Sequence, residues 1–375
     1  MRRDLIIAAS PGEWRAALME DGAVVELHLE RGDRKRAGSI HLGRVVRVAK
    51  GLDSAFIEIG DVRPGLAPRR QGPQLRDSLG LDEGARVMVE VRREALPDKG
   101  ARLSTRITRD IAAPDRDPPA QLYPAPGFAA ALALAVSSRP DRILADDAAV
   151  VPELRAAFPG AEIARDDPPI DLDTEFAVAL ARHLDLPGGG MVHIEETRAA
   201  TMIDVDTGTP EAGSAARAAL AGNIEAARAI ARHIRLRNLG GGIVVDFVGL
   251  EGRGPREEVR QALGDALAAD PAKPQLLGWT RLGHVEIVRP YKAPSLAAAL
   301  GDGAATAAFA ALRAIQREAR ARPAAAWRLT VSAAVAAALR GPAAAAFAAL
   351  EAKLARTIEI ATAGDAPSPF TIAPR

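Results

Sequence analysis

The chain has 375 residues, 48% of them hydrophobic and only 3% aromatic, enough for two to four small domains with their own cores. A net charge of +1 means that any polyanion site must come from local clustering, and the absence of cysteine excludes disulfides and thiolate metal ligands, which suits a reducing cytoplasm. The N-terminal apolar run is too short for a secretory signal. Arg340, Gly341 and Pro342 interrupt the alanine-rich stretch at 331–350, so two packed helices are expected there, in a soluble, cytoplasmic protein with no membrane partner.

Residues 5–29 alternate strand and helix patterns, with 23–29 an amphipathic strand, and 31–36 form a basic connector. Short segments at 40–48, 54–59, 86–92 and 101–107, punctuated by Gly, Pro and Asp, predict a small five-stranded barrel. Pro and Asp mark 110–126 as a linker. An α/β pattern returns from 127 to 165, with a strand at 143–145 and a helix at 151–157. A helix is predicted over 173–184, capped by Asp173 or Thr174 and ended by Pro187-Gly188-Gly189-Gly190. Strands at 191–194 and 200–205 then pair.

The helix predicted over 214–236 carries an apolar stripe at Leu220, Ile224, Ala227, Ala231 and Ile234, and Gly240-Gly241-Gly242 stops it. Arg228, Arg232 and Arg235 form a basic ridge on it, open to two readings, an RNA contact or a solvated face. A strand at 243–248, a helix near 257–268 and a strand around 276–279 follow. Beyond Pro290 the chain reads as alanine-rich helix with one strand at 328–331.

Two acidic segments stand out, Ile203-Asp204-Val205-Asp206-Thr207-Gly208 and Ile243-Val244-Val245-Asp246-Phe247. Each sets carboxylates in a run of strand-forming apolar residues, where a charge is costly unless paired or metal-bound. Asp204 and Asp206 lie two apart, so an extended backbone points both to one side. With Asp246 from a neighbouring strand they outline an oxygen-only cation site. Mg²⁺ suits it, needing only one or two protein carboxylates beside a phosphate. The competing reading is a turn, which Asp-Thr-Gly after a strand commonly makes. A calcium loop is excluded, because Ala215 stands where its bidentate Glu belongs. His183 and His193 show no zinc spacing, and neither glycine triplet is followed by the Lys-Ser/Thr of a phosphate loop.

The run Met191-Val-His-Ile-Glu-Glu-Thr-Arg-Ala-Ala-Thr-Met-Ile-Asp-Val-Asp-Thr-Gly resembles the catalytic core of the ribonuclease E/G family. So do Asn223-Ile-Glu-Ala-Ala, Ile234-Arg-Leu-Arg-Asn-Leu-Gly-Gly-Gly-Ile-Val-Val-Asp-Phe and Arg281-Leu-Gly-His-Val-Glu-Ile-Val-Arg-Pro. The resemblance implies an α/β multidomain protein. Residues 1–36 and 118–168 would form a ribonuclease-H-like scaffold, 37–110 an inserted S1 (OB-fold) RNA-binding β-barrel, 169–290 a deoxyribonuclease-I-like catalytic region, and 291–375 a small C-terminal α/β domain. It implies Asp204 and Asp246 as Mg²⁺ ligands, with Asp206 at a position usually held by Asn. The activity implied is Mg²⁺-dependent endonucleolytic cleavage of single-stranded RNA, leaving 5′-phosphate and 3′-hydroxyl ends, in RNA processing (rRNA included) or decay.

In the barrel the resemblance implies Phe56 as a base-stacking residue, with barrel core as its competing reading. Arg44, Arg47, Arg69 and Arg70 are candidate phosphate contacts. The chain also departs from the family pattern. Gly249 stands where many members have a second Asp, Leu66 replaces a usual aromatic, and the Arg-Thr motif of the 5′-monophosphate sensor has no counterpart. Without a Cys-Pro-x-Cys link, a homodimer would have to form without zinc. These departures motivate the alternative, a non-catalytic RNA-binding protein on the same scaffold.

Overall fold

In a computed structural model of the chain, the structure describes residues 2–31, 37–68, 81–95, 99–107, 109–111, 115–166, 169–206, 208, 215–291, 293–301, 303–364 and 369–375. The chain divides into two compact units. One comprises Met1–Ala9, Arg15–Leu29 and Ala133–Ala299; the other comprises Ser10–Trp14, Glu30–Leu132 and Leu300–Arg375.

Strands Arg3–Ser10, Glu13–Glu20 and Ala23–Arg31 follow one another through two-residue turns, connections that only antiparallel neighbours can make. Asp21 and Gly22 both take positive φ (48° and 85°), as a tight hairpin turn requires. The helix expected among residues 5–29 is therefore absent among the described residues, and the segment is all strand. Strand Arg142–Ala145 joins the first strand in parallel, placing Arg142 opposite Asp4, and Glu162–Arg165 adds beyond it in parallel. Helix Leu172–Leu180 packs Leu172, Phe176 and Ala179 against Ile6, Ala17, Val24, Leu27 and Leu144.

That helix is capped by Asp171, whose carboxylate accepts from the Asp173 N–H at 3.1 Å and the Thr174 hydroxyl at 2.7 Å. Asp173 itself pairs with Arg15 at 2.9 Å. The helix stops four residues short of the expected end, because His183–Asp185 instead pairs as a strand with Met191–Glu196.

The second sheet of this unit has the strand order His183–Asp185, Met191–Glu196, Thr201–Asp206, Gly241–Asp246, Val285–Arg289, Gln275–Trp279. Helices Ala215–Leu236 and Arg253–Leu267 cover one face, burying Ala226, Ile230, Ile234, Val259 and Leu263 against Val192, Ile203, Val205, Ile243, Val245 and Ile287. The long helix ends where Asn238 adopts a left-handed φ of 51°, and Gly241 and Gly242 already belong to the next strand, so Asn238 and not the glycine triplet is its stop.

Buried charge ties this unit together. Arg235 donates to Glu20 at 3.1 Å and to Glu26 at 2.9 Å, and Ser137 bonds the same Glu26 carboxylate. Burial opposes ionisation of Glu26, but hydrogen bonds from His28 and Ser137, with the His28 charge, hold its carboxyl down to about 2. Burial, reinforced by the Arg237 and Arg232 charges, pushes the His233 imidazole down to about 3. Arg237 donates to His233 Nδ1 at 3.3 Å and to the Ala181 carbonyl at 2.7 Å. Arg289 is held by Asp270 at 2.6 Å.

The other unit contains a closed five-stranded barrel. Ile40–Ala49 pairs with Ser54–Glu58, which pairs with Gly65–Pro68. Arg102–Ser104 and Arg86–Arg93 follow, and the last returns to the first. Val45, Ala55, Ile57, Val89, Val91 and Leu103 fill it. Residues 110–126 do not merely link: Ala120–Tyr123 is a further strand, paired antiparallel with Ile40–Ala49. The rest of the unit includes a three-stranded sheet, Ile358–Thr362, Trp327–Val331, Phe370–Pro374, of which the sequence suggested only the central strand. Helices Ala333–Arg340 and Ala344–Leu354 meet at 79° and bury Val335, Leu339, Ala346 and Leu350. Among the described residues no single helix is long and apolar enough to cross a membrane.

Glu26 and His233 both have folded-state values below their unfolded ones, so the unfolded chain takes up protons first on acidification. Stability should therefore fall as pH drops from about 6.5 toward 3 for His233 and from about 4.5 toward 2 for Glu26. Melting temperatures measured across this range check it, and His233→Gln should flatten the part above pH ~4.5. Arg235→Ala, which takes the buried guanidinium from Glu20 and Glu26 and leaves Glu26 to His28 and Ser137, should lower stability by about 3–5 kcal/mol in urea titrations.

Candidate active site

Alternation along Thr201–Asp206 buries Thr201, Ile203 and Val205 and leaves Met202, Asp204 and Asp206 exposed. Gly241–Asp246 likewise buries Ile243 and Val245 and exposes Asp246. The three carboxylates thus lie on the sheet face opposite the helices, in water. The expectation that they are costly buried charges is corrected: the period-2 pattern turns them outward, where solvation is cheap.

Position, not burial, singles out two of them. Thr201–Asp206 and Gly241–Asp246 run parallel and in register, with Asp204 directly opposite Asp246. Neighbouring strands lie about 4.8 Å apart, so the two backbones present these carboxylates side by side. Both line a cavity of about 370 Å³ with Phe247, Arg256, Trp279 and Leu282. Asp206 lies two residues further along, opposite Met191, and does not line it. Its Oδ1 accepts the Gly208 N–H at 2.8 Å, the turn chemistry that competed with a ligand role in the sequence.

Among the described residues no group of three or more His, Asp or Glu is arranged to hold a metal ion. Two adjacent carboxylates facing an open cavity fit a hard cation that keeps most of its waters, as Mg²⁺ does, and do not fit a closed zinc site. His284 reaches one of the two, its Nε2 lying 3.6 Å from Asp246 Oδ2. Sequence pattern alone does not show that contact, because it arises only when Val285–Arg289 pairs antiparallel with Gly241–Asp246.

The loop after Asp246 is pinned from the buried side. Asn223, fully buried on the long helix, donates Nδ2 to the Val248 carbonyl at 2.8 Å and accepts the Val248 N–H at 3.1 Å. One amide thus satisfies both backbone groups just beyond the carboxylate strand. Asn223 opens the Asn223-Ile-Glu-Ala-Ala motif, and the fold shows what it holds.

The basic ridge divides. Arg235 is buried in its ion pairs and unavailable to a ligand, because the helix turns it onto the carboxylates of strands Glu13–Glu20 and Ala23–Arg31. Arg232 donates to the Val24 carbonyl at 3.2 Å. Arg228 is exposed.

On the barrel a row of cross-strand neighbours runs Arg47, Phe56, Leu66, Arg102, Arg93. Phe56 points outward, half-exposed, and is not in the barrel core; the Arg47 guanidinium lies 4.3 Å from its ring centroid. These five residues, with Arg63 and Lys99, line a cavity of about 600 Å³. Gly100 runs so close beneath it that a Cβ would meet the Pro64 carbonyl oxygen at 2.0 Å. Arg44 is exposed but outside this cavity, donating to the Gly84 carbonyl at 3.2 Å. Arg69 and Arg70 lie outside the described residues. Arg63, Arg93, Lys99 and Arg102 form no cluster in the sequence, because only barrel closure gathers them.

In sequence the chain is similar to known ribonucleases. The model described as "Ribonuclease E/G family" matches residues 168–292, the stretch that holds both aspartates. Ribonuclease G of Escherichia coli (strain K12) is 28% identical over 77% of this chain and 80% of its own length. Ribonuclease G of Salmonella typhimurium (strain SL1344) is 27% identical over the same shares. Ribonuclease E of Nostoc sp. (strain PCC 7120) is 43% identical over 33% of this chain and 18% of its own.

Asn223→Ala leaves both Val248 backbone groups without partners and should cost about 1–3 kcal/mol of stability. Hydrogen exchange should show the loop at 247–250 opening before the rest of its sheet.

Proposed function

We propose that this chain, a member of the ribonuclease E/G family, is an endoribonuclease that hydrolyses single-stranded RNA with Mg²⁺ as cofactor. The single observation that carries the reading is the in-register pairing of Asp204 with Asp246 at the mouth of a cavity. Asp204 and Asp246 would hold the ion. When bound, it supplies charge neutralisation at the scissile phosphate and a more acidic water for in-line attack, giving 5′-phosphate and 3′-hydroxyl ends.

The protein's own residues then have separable tasks. Asn223 fixes the loop beyond Asp246, so the second carboxylate keeps its place as RNA enters. Phe56 offers an aromatic plane to a base, while Arg47, Arg93 and Arg102 surround it with positive charge for the backbone. Asp206 serves the turn, so its carboxylate in place of Asn leaves the pair at 204 and 246 intact.

We further read the first five-stranded sheet as a ribonuclease-H-like scaffold and the six-stranded sheet with its two helices as a deoxyribonuclease-I-like region. Supporting this is the order in which the three hairpin-linked strands meet two parallel ones. The role is RNA processing, of rRNA among others, or decay in the cytoplasm. Any homodimer forms without a zinc link, since the chain lacks cysteine.

A second reading, RNA binding without turnover, draws on Gly249, on Leu66 beside Phe56, and on the solvent exposure of the carboxylates, which leaves them tolerated without a metal. Incubation of an unstructured A/U-rich oligonucleotide with Mg²⁺ or EDTA separates the two. Cleavage should need Mg²⁺ and vanish in Asp204→Ala and Asp246→Ala, with RNA affinity retained; binding with no cleavage would establish the second reading. Phe56→Ala should weaken binding by about 1–3 kcal/mol while sparing the metal requirement. A Cβ at Gly249 meets nothing within 4 Å, so Gly249→Asp should fold normally and lower the Mg²⁺ concentration for half-maximal cleavage.

A further inference from the structure

The cavity beside Asp204 and Asp246 has a second wall of different chemistry. Trp279, at the end of its strand, donates its indole N–H to the Arg256 carbonyl at 3.2 Å, and its ring centroid lies 6.0 Å from that of Phe247. The ring is thus fixed on two sides, half-buried and half in the cavity. The Arg256 guanidinium stands 5.3 Å from the indole centroid, and its Nε donates to the Leu250 carbonyl at 3.3 Å. Arg235 and Arg289 are neutralised by carboxylates. Arg256 forms no such ion pair among the described residues, and it is the one cationic residue lining the cavity. Leu282, 84% exposed at the tip of the hairpin joining the last two strands, forms an apolar lip.

A rigid aromatic plane and a guanidinium without an ion-pair partner among the described residues, lining one cavity with two carboxylates, complement a nucleotide. The base gains stacking, and the phosphate gains a forked donor. A cavity of about 370 Å³ is within the range that small ligands occupy. Resting on the ribonuclease reading above, we propose that Trp279 and Arg256 form a subsite for the nucleotide adjoining the scissile bond. Trp279 stacks its base and Arg256 holds its phosphate. The site therefore selects at one position of the RNA, and selects purines, whose larger face stacks more strongly.

The test uses the whole protein and single-stranded oligonucleotides bearing 2-aminopurine, or an abasic residue, at successive positions around the cleavage point. In EDTA, where no turnover occurs, one position should show stacking quench in the wild type. That quench should disappear in Trp279→Ala and persist in Trp279→Phe and Phe56→Ala. With Mg²⁺, kcat/KM for a purine at that position should fall about 5- to 150-fold in Trp279→Ala, while the abasic oligonucleotide is cleaved equally by both proteins. Arg256→Ala should lower the slope of log affinity against log salt by about 0.7, one single-strand phosphate contact.

The same quench pattern in Trp279→Ala and wild type would overturn the proposal. Equal losses on base-bearing and abasic oligonucleotides would also overturn it, by making Trp279 a packing residue, and Trp279→Phe guards against a folding artefact. If the wild type cleaves nothing with Mg²⁺, the ribonuclease reading fails by itself, and the EDTA quench still decides whether the subsite exists.

Discussion

The site depends on one backbone constraint, the parallel hydrogen-bonded register between Thr201–Asp206 and Gly241–Asp246. Because the side-chain period of a strand is two, a slip of one residue would send Asp246 to the helix-covered face and Val245 into water. Ile203, Val205, Ile243 and Val245 resist that slip, since each is buried against the two covering helices. The apolar residues thus fix where the carboxylates point, and the charges themselves contribute nothing to the register.

Around that pairing the buried polar groups act as braces. Asn223 grips Val248, Arg289 grips Asp270 and the Leu239 carbonyl, and Arg237 grips the Ala181 carbonyl. Each ties together segments that lie well apart in the chain. Removing one partner of such a pair leaves an unsatisfied group behind, so these residues are expensive to alter although none lines the cavity beside Asp204 and Asp246.

The sequence disclosed those parts whose signal is local. The alternation at 201–206, the apolar stripe of the long helix and the turn that Asp206 makes with Gly208 all follow from short-range pattern. It misled where tertiary pairing overrode pattern: residues 13–20 and 183–185 became strands because neighbours were there to pair with them. Carboxylates among valines and isoleucines suggested burial, yet alternation alone already pointed them to the open face. The arginines of the long helix looked equivalent, and only the facing acidic strands separate Arg235 from Arg228. Arg63, Arg93, Lys99 and Arg102 come together across barrel strands far apart in the chain, and Trp279, Arg256 and His284 by the meeting of a hairpin and a helix.

The strand Ala120–Tyr123 lies against the strand that opens the barrel, with Tyr123 opposite Ile40, and Pro126 sits within reach of Gly38. The barrel therefore begins and ends at one corner. A module stitched in this way is a cassette: another small domain with neighbouring termini could replace it without any rethreading of the host chain.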